Sequence, residues 1–106
     1  MRVFIDECID WRLSRDIVGH DVKSAHQMGW SGIKNGVLLA LVSGKFDVFV
    51  TVDRNLAFQN VVTNLPFAVI VLYAHTNRLD DLRPLMPELM RVMEQLTPGE
   101  LRRIQG

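Results

Sequence analysis

The stretch VFVTVDRNLAFQN, residues 48–60, decides how this chain is read. From Val48 to Val52 it is almost continuously apolar and rich in β-branched residues. That is the pattern of a strand buried on both faces rather than on one. With no Gly or Pro to mark a turn, it then meets Asp53, Arg54 and Asn55. The N-terminus repeats the arrangement, because Asp6 and Glu7 directly follow Val3, Phe4 and Ile5. Two strand-to-charge junctions invite a search for a shared site.

Working outward, the strand candidates are Val3–Ile5, Asp21–Ala25, Val48–Val52 and Phe67–Tyr73. Between them lie helical spacings. Ile9, Leu13 and Ile17 recur every four residues, and Gly19 ends that segment. Val37, Leu38, Leu41 and Val42 fit a helix with Asn35 as N-cap and Gly44 as its stop. Leu56, Val61 and Val62 predict a helix over 53–62. A stripe of Leu79, Leu82, Met86, Leu89, Met90, Met93 and Leu96 predicts a turn at 78–82 and a helix from Pro84 to Gln95, and its methionines read as core. TPGELRRI then predicts a turn and a short edge strand.

Strands alternating with helices predict a single α/β domain over residues 1–106, three-layered α/β/α, with a mostly parallel central sheet. In such sheets functional groups collect beyond the carboxyl ends of the strands. Asp6, Glu7 and Asp53 should therefore share one sheet edge. Each Asp could also cap a helix, worth about 1 kcal/mol. Carboxylates gathered at one edge repel, however, unless a cation or proton lies between them. Clustered hard oxygen donors suit Mg²⁺ or Mn²⁺, which can activate water at a phosphodiester.

Bulk properties narrow the classes. The chain has 106 residues, 48% of them hydrophobic, and formal net charge zero. A chain of that length can bury roughly 60–70% of its unfolded surface in one core. Neutrality removes overall charge as a reason to bind nucleic acid, leaving only a local patch, and permits self-association as a homodimer. A single cysteine, Cys8, excludes an intrachain disulfide and reads as a small half-buried hydrophobe in an intracellular protein. No apolar run approaches the ~20 residues of a membrane helix, and no secretory signal is visible, so a cytoplasmic protein with no membrane partner is expected. No Walker-type glycine motif follows any strand, which argues against a nucleotide-binding or receiver-like domain.

FIDEC (4–8), GHDV (19–22), MGWSGIKNG (28–36), VFVTVDRNLAFQN and NRLDDLRPLMPELM (77–90) together resemble the small bacterial PIN-like proteins, relatives of the PIN-domain nucleases that include toxins of toxin–antitoxin pairs. The resemblance implies an α/β/α PIN-like fold and a metal-dependent ribonuclease site, with RNA as substrate and an antitoxin as a further partner. Asp6 matches the acid after the opening strand, with Glu7 beside it. Asp53 matches the acid of the T-x-D pattern. Asp6, Asp53 and Glu7 are then the metal ligands, with Asn35 supporting the catalytic set. Where relatives carry two further acids, this chain has Asn35 and Asn55, which bring no charge and should lower metal affinity. A non-catalytic module of the same fold, binding nucleic acid or protein, is the alternative.

Other residues carry paired readings. Thr51 could orient Asp53 or a water, or serve only as a β-branched strand residue. Arg54 could meet a phosphate or a surface carboxylate, and Lys34 stands at a helix mouth that favours anions. Trp30 is expected to pack on the sheet edge rather than stack a base, and Trp11 reads as core or interface. His20 reads as a turn residue, and His26 is the histidine nearest the active edge.

Overall fold

The computed structural model describes residues 1–54 and 62–105. Most of the expected helix over 53–62, Asn55 included, lies outside the described residues, as does the side chain of Asn35. Five strands form one sheet: β1 (Arg2–Ile5), β2 (Asp21–Ser24), β3 (Val48–Thr51), β4 (Ala68–Tyr73) and β5 (Leu101–Gln105). Every pairing is parallel and the order is β2-β1-β3-β4-β5. Among the described residues the helical elements include a 3₁₀ segment (Trp11–Asp16), α1 (Ala25–Met28), α2 (Asn35–Val42), α3 (Leu79–Leu82), a 3₁₀ turn (Arg83–Leu85) and α4 (Met86–Met93).

Alternation along the strands divides the core in two. Val3, Ile5, Val48, Val50, Ile70, Leu72 and Ile104 face one way, against Leu13, Leu82, Leu85, Met86, Leu89 and Met93. Phe4, Phe49, Val69 and Val71 face the other way, against Ala25, Leu38, Leu39, Val42, Phe46 and Phe67. This is a three-layer α/β/α fold. Burying each of these side chains contributes roughly 1.5–3 kcal/mol, so both layers are needed.

The β1–β2 and β4–β5 connections travel in opposite directions across the sheet, yet both pack on the same face. They must therefore have opposite hands, although parallel crossovers are right-handed in about 98% of cases. The β2–β3 connection, on the other face, matches the hand of β1–β2, so β4–β5 is the exception. The exception matters, because the chain leaving β4 must turn back over the carboxyl edge toward β1. Entry into β5 then depends on Gly99 at φ +83°, where a Cβ would lie 3.0 Å from the Thr63 carbonyl oxygen.

Several elements differ from expectation in detail. The Ile9/Leu13/Ile17 segment is 3₁₀ rather than α, with i→i+3 bonds from Leu13 N–H to Asp10 O and Ile17 N–H to Ser14 O. Its ~2.0 Å rise per residue lets a short connection span the sheet, and the three apolar residues are still buried. Lys34, not Asn35, occupies the N-cap of α2, and Asn35 is its first helical residue. The expected helix from Pro84 begins instead as a 3₁₀ turn, with α4 starting at Met86 ahead of Pro87. Ala25 leaves β2 for α1 because Ser24 and Gln27 form a reciprocal capping box.

Candidate functional site

In a doubly wound parallel sheet the binding crevice opens where the strand order reverses, here between β1 and β3. The register brings Ile5 opposite Val50, and the Asp6 N–H continues the ladder to the Val50 carbonyl at 2.9 Å. That places Asp6 beside Thr51. The Thr51 hydroxyl, fully buried, donates to Asp6 Oδ2 at 2.8 Å. Thr51 Oγ1 in turn accepts the Asp53 N–H at 3.0 Å. One hydroxyl thus joins the two junctions that stood out in the sequence.

Asp6 is only 6% exposed, and each of its oxygens is engaged. Oδ1 accepts the Glu7 N–H at 2.9 Å, and Oδ2 also receives the Cys8 thiol at 3.5 Å. It caps no helix: Asp10 is the N-cap of the 3₁₀ segment, accepting the Arg12 N–H at 3.0 Å. The Arg12 guanidinium, followed by that N–H, holds the Asp10 carboxyl down to about 2. Glu7 extends outward, where Oε2 accepts the Gly32 N–H at 2.8 Å. Glu7 thereby ties the loop between α1 and α2 to the end of β1.

Two contributors to this edge were not among the candidate site residues. Cys8 lies half-buried, its Sγ 3.7 Å from Thr51 Oγ1. Burial, with the Asp6 charge adding to it, pushes the thiol above its ordinary value despite a hydrogen bond from the Val52 backbone. Asn77 donates from Nδ2 to the Cys8 carbonyl at 3.1 Å, and so pins the returning β4–β5 chain across the edge. Spacing from Asp6 could have flagged Cys8. Asn77 opens the NRLDDLRPLMPELM stretch, but its place at this edge follows from the β4–β5 crossover.

The remaining candidates are distributed around this centre. Arg54 donates to the Ala74 carbonyl at 2.8 Å and lies 4.6 Å over the Tyr73 ring, at the end of β4. Lys34 is exposed at the mouth of α2. Trp30 packs as expected, 5.6 Å from Phe4 and edge-on to Phe46, with Lys45 over its ring. Trp11 is not core, being 44% exposed. Beside the carboxylates opens a cleft of ≈ 760 Å³, lined by Glu7, Cys8, Trp11, Ser24, His26 and Asn77 among others.

Among the described residues no group of three or more His, Cys, Asp or Glu is placed to hold a metal. Mg²⁺, however, is usually held by one or two carboxylates, with waters and substrate phosphate completing the shell. At Thr51 the Asp6 carboxylate and the Asp53 backbone N–H meet on one hydroxyl, so the two acids leave their strands side by side. Asp6 Oδ1 keeps acceptor capacity beyond the Glu7 N–H. No described helix is long and apolar enough to cross a membrane. Comparison with known proteins returns no matching family model, no matching curated protein and no matching solved structure.

Proposed function

We propose that this chain is a PIN-like, divalent-metal-dependent ribonuclease that hydrolyses phosphodiester bonds at the β1/β3 crevice, acting in the cytoplasm. The observation that carries the reading is the meeting of the Asp6 carboxylate and the Asp53 backbone N–H on one buried hydroxyl at the strand-order reversal. Mg²⁺ or Mn²⁺, when bound there, supplies charge neutralisation and an activated water. Asp6 would be the principal ligand, its rotamer held by Thr51 on one oxygen and the Glu7 N–H on the other. Asp53 would be the second. Glu7 would act as an outer support, and Arg54 or Lys34 would meet a flanking phosphate after leaving its present position.

Purified protein incubated with single-stranded RNA and Mn²⁺ should cleave it, and an Asp6→Asn/Asp53→Asn double variant should not. Equal cleavage by the two proteins would remove the proposal. An activity of this kind fits the toxin of a toxin–antitoxin pair, and a small DNA-binding protein encoded next to this chain would supply the antitoxin.

A second reading is favoured by the same geometry. Both Asp6 oxygens already hold protein hydrogen bonds, and in the sequence Asn35 and Asn55 replace two acids of the PIN-like pattern. A non-catalytic module would use the crevice for binding alone. Calorimetric titration with Mn²⁺ separates the two readings, since an absence of binding at millimolar metal selects the module.

A further inference from the structure

The cleft beside the carboxylates is as large as small-molecule sites usually are, about 300–1,000 Å³. One of its walls is the exposed indole of Trp11, with the Arg15 guanidinium 5.1 Å from the ring centroid. An exposed Trp backed by a cation is a stacking platform, because the cation polarises one face while the ring stays accessible. The other polar groups in the cleft suit a base edge better than a phosphate. Ser31, His26 and Asn77 offer hydrogen-bonding atoms, whereas Glu7 and Asp10 bring negative charge. The arginine in the cleft, Arg12, is bound to Asp10 through both carboxylate oxygens. An anion entering here would meet carboxylates and an already paired guanidinium.

Cys8 connects the cleft to the proposed reaction centre. It lines the cleft, and its Sγ touches both Asp6 Oδ2 and Thr51 Oγ1. A nucleotide whose phosphate was held near Asp6 through a cation would therefore have its base within reach of the cleft.

We propose that this cleft is a nucleobase pocket for single-stranded RNA, in which an unpaired base stacks on Trp11 beside the carboxyl ends of β1 and β3. The assignment rests on the ribonuclease reading for the identity of the strand, but the pocket requires no metal to stack a base. Duplex RNA is excluded, because its bases are not free to leave the helix.

The test is intrinsic fluorescence titration of the full chain, in chelator to prevent cleavage, with single-stranded oligoadenylate, oligouridylate and a duplex RNA. Single strands should quench the Trp11 emission and the duplex should not. The variants lack the Trp11 indole, so their binding is read by the anisotropy of an end-labelled oligonucleotide. Trp11→Ala should weaken single-strand binding about 5- to 150-fold, the loss that one stacked base carries, while Trp11→Phe retains most of it. The Trp30 emission left in Trp11→Ala should not be quenched. Thermal melting of both variants checks that the fold is kept. In cleavage assays with Mn²⁺, Trp11→Ala should raise KM and leave kcat unchanged. Equal affinity of wild type and Trp11→Ala, or no quenching by either single strand, overturns the pocket and leaves this surface to a protein partner. Quenching that depends on Trp11 in a protein that never cleaves RNA upholds the pocket and overturns only the ribonuclease.

Discussion

Thr51 is the residue on which the site turns, because its hydroxyl donates to Asp6 and accepts from Asp53 at the same time. A buried hydroxyl in that position fixes one carboxylate rotamer and the backbone of the other acid. Thr51→Val keeps the shape and removes both bonds. It leaves a nearly buried carboxylate oxygen with only the Cys8 thiol, a weak donor. The expected cost is about 1–3 kcal/mol, read as a lower urea midpoint with an unchanged slope, and Thr51→Ser should restore most of it. Cleavage should fall with the same substitution if Asp6 must be held for metal. From sequence, Thr51 is equally well explained by its β-branch. What singles it out is register, which sets Asp6 against it, and register between strands so far apart in the chain is not written locally. The two acids, in contrast, were legible as carboxylates that end buried strands.

At the scale of elements, the described strands fall within a residue or so of their expected limits, since runs such as VFV and VIVL allow little choice. The helices were less legible. SAHQ carries a capping-box pattern that starts a helix at Ala25, whereas strand propensity alone extends β2 through it. The spacing of Ile9, Leu13 and Ile17 marks the buried face correctly but does not distinguish 3₁₀ from α. The entry to the sheet is set by Asp47, whose carboxylate accepts the Arg2 N–H at 2.8 Å and the Arg2 guanidinium, while its own N–H donates to the Arg2 carbonyl. The Arg2 backbone bond, then the guanidinium, holds the Asp47 carboxyl below its ordinary value. A carboxyl whose folded pKa is depressed stabilises the fold fully above its unfolded pKa and loses that contribution as pH falls through the folded one. Asp47→Asn should therefore cost about 0.5–1 kcal/mol at neutral pH, modest because the pair is partly exposed and screened. The gap from wild type should narrow below the ordinary carboxylate value of 3.8. Urea unfolding at neutral and acidic pH measures it, and a gap that stays constant with pH would mean that the charge of Asp47 is not what holds the two strand starts together.

For the whole molecule, a parallel sheet with its chemistry at the carboxyl edge could be inferred from the alternation of strands and helices. The strand order and the hand of the β4–β5 crossover could not, because both depend on which face each helix covers. That crossover brings Asn77 onto Cys8, so the carboxyl edge is assembled from segments far apart in the chain. The crevice also lies where the two directions of winding meet, with β1 on one side and β3 on the other. A cation held by Asp6 and Asp53 would bind these strands to each other only in the folded state. Binding to the native state alone stabilises it by RT ln(1 + [L]/Kd), about 1.4 kcal/mol at a roughly tenfold excess over Kd. Since ~1 kcal/mol moves the midpoint of a domain near this size by ~4–8 °C, Mn²⁺ at saturating concentration should raise Tm by several degrees. The rise should disappear in Asp6→Asn and in Asp53→Asn, survive Trp11→Ala, and be larger in an Asn35→Asp variant, which adds a charge at the start of α2. Scanning calorimetry with and without Mn²⁺ reads all of these in one series. A rise that persists in both aspartate variants would place the cation elsewhere on the molecule and separate the crevice from metal chemistry altogether.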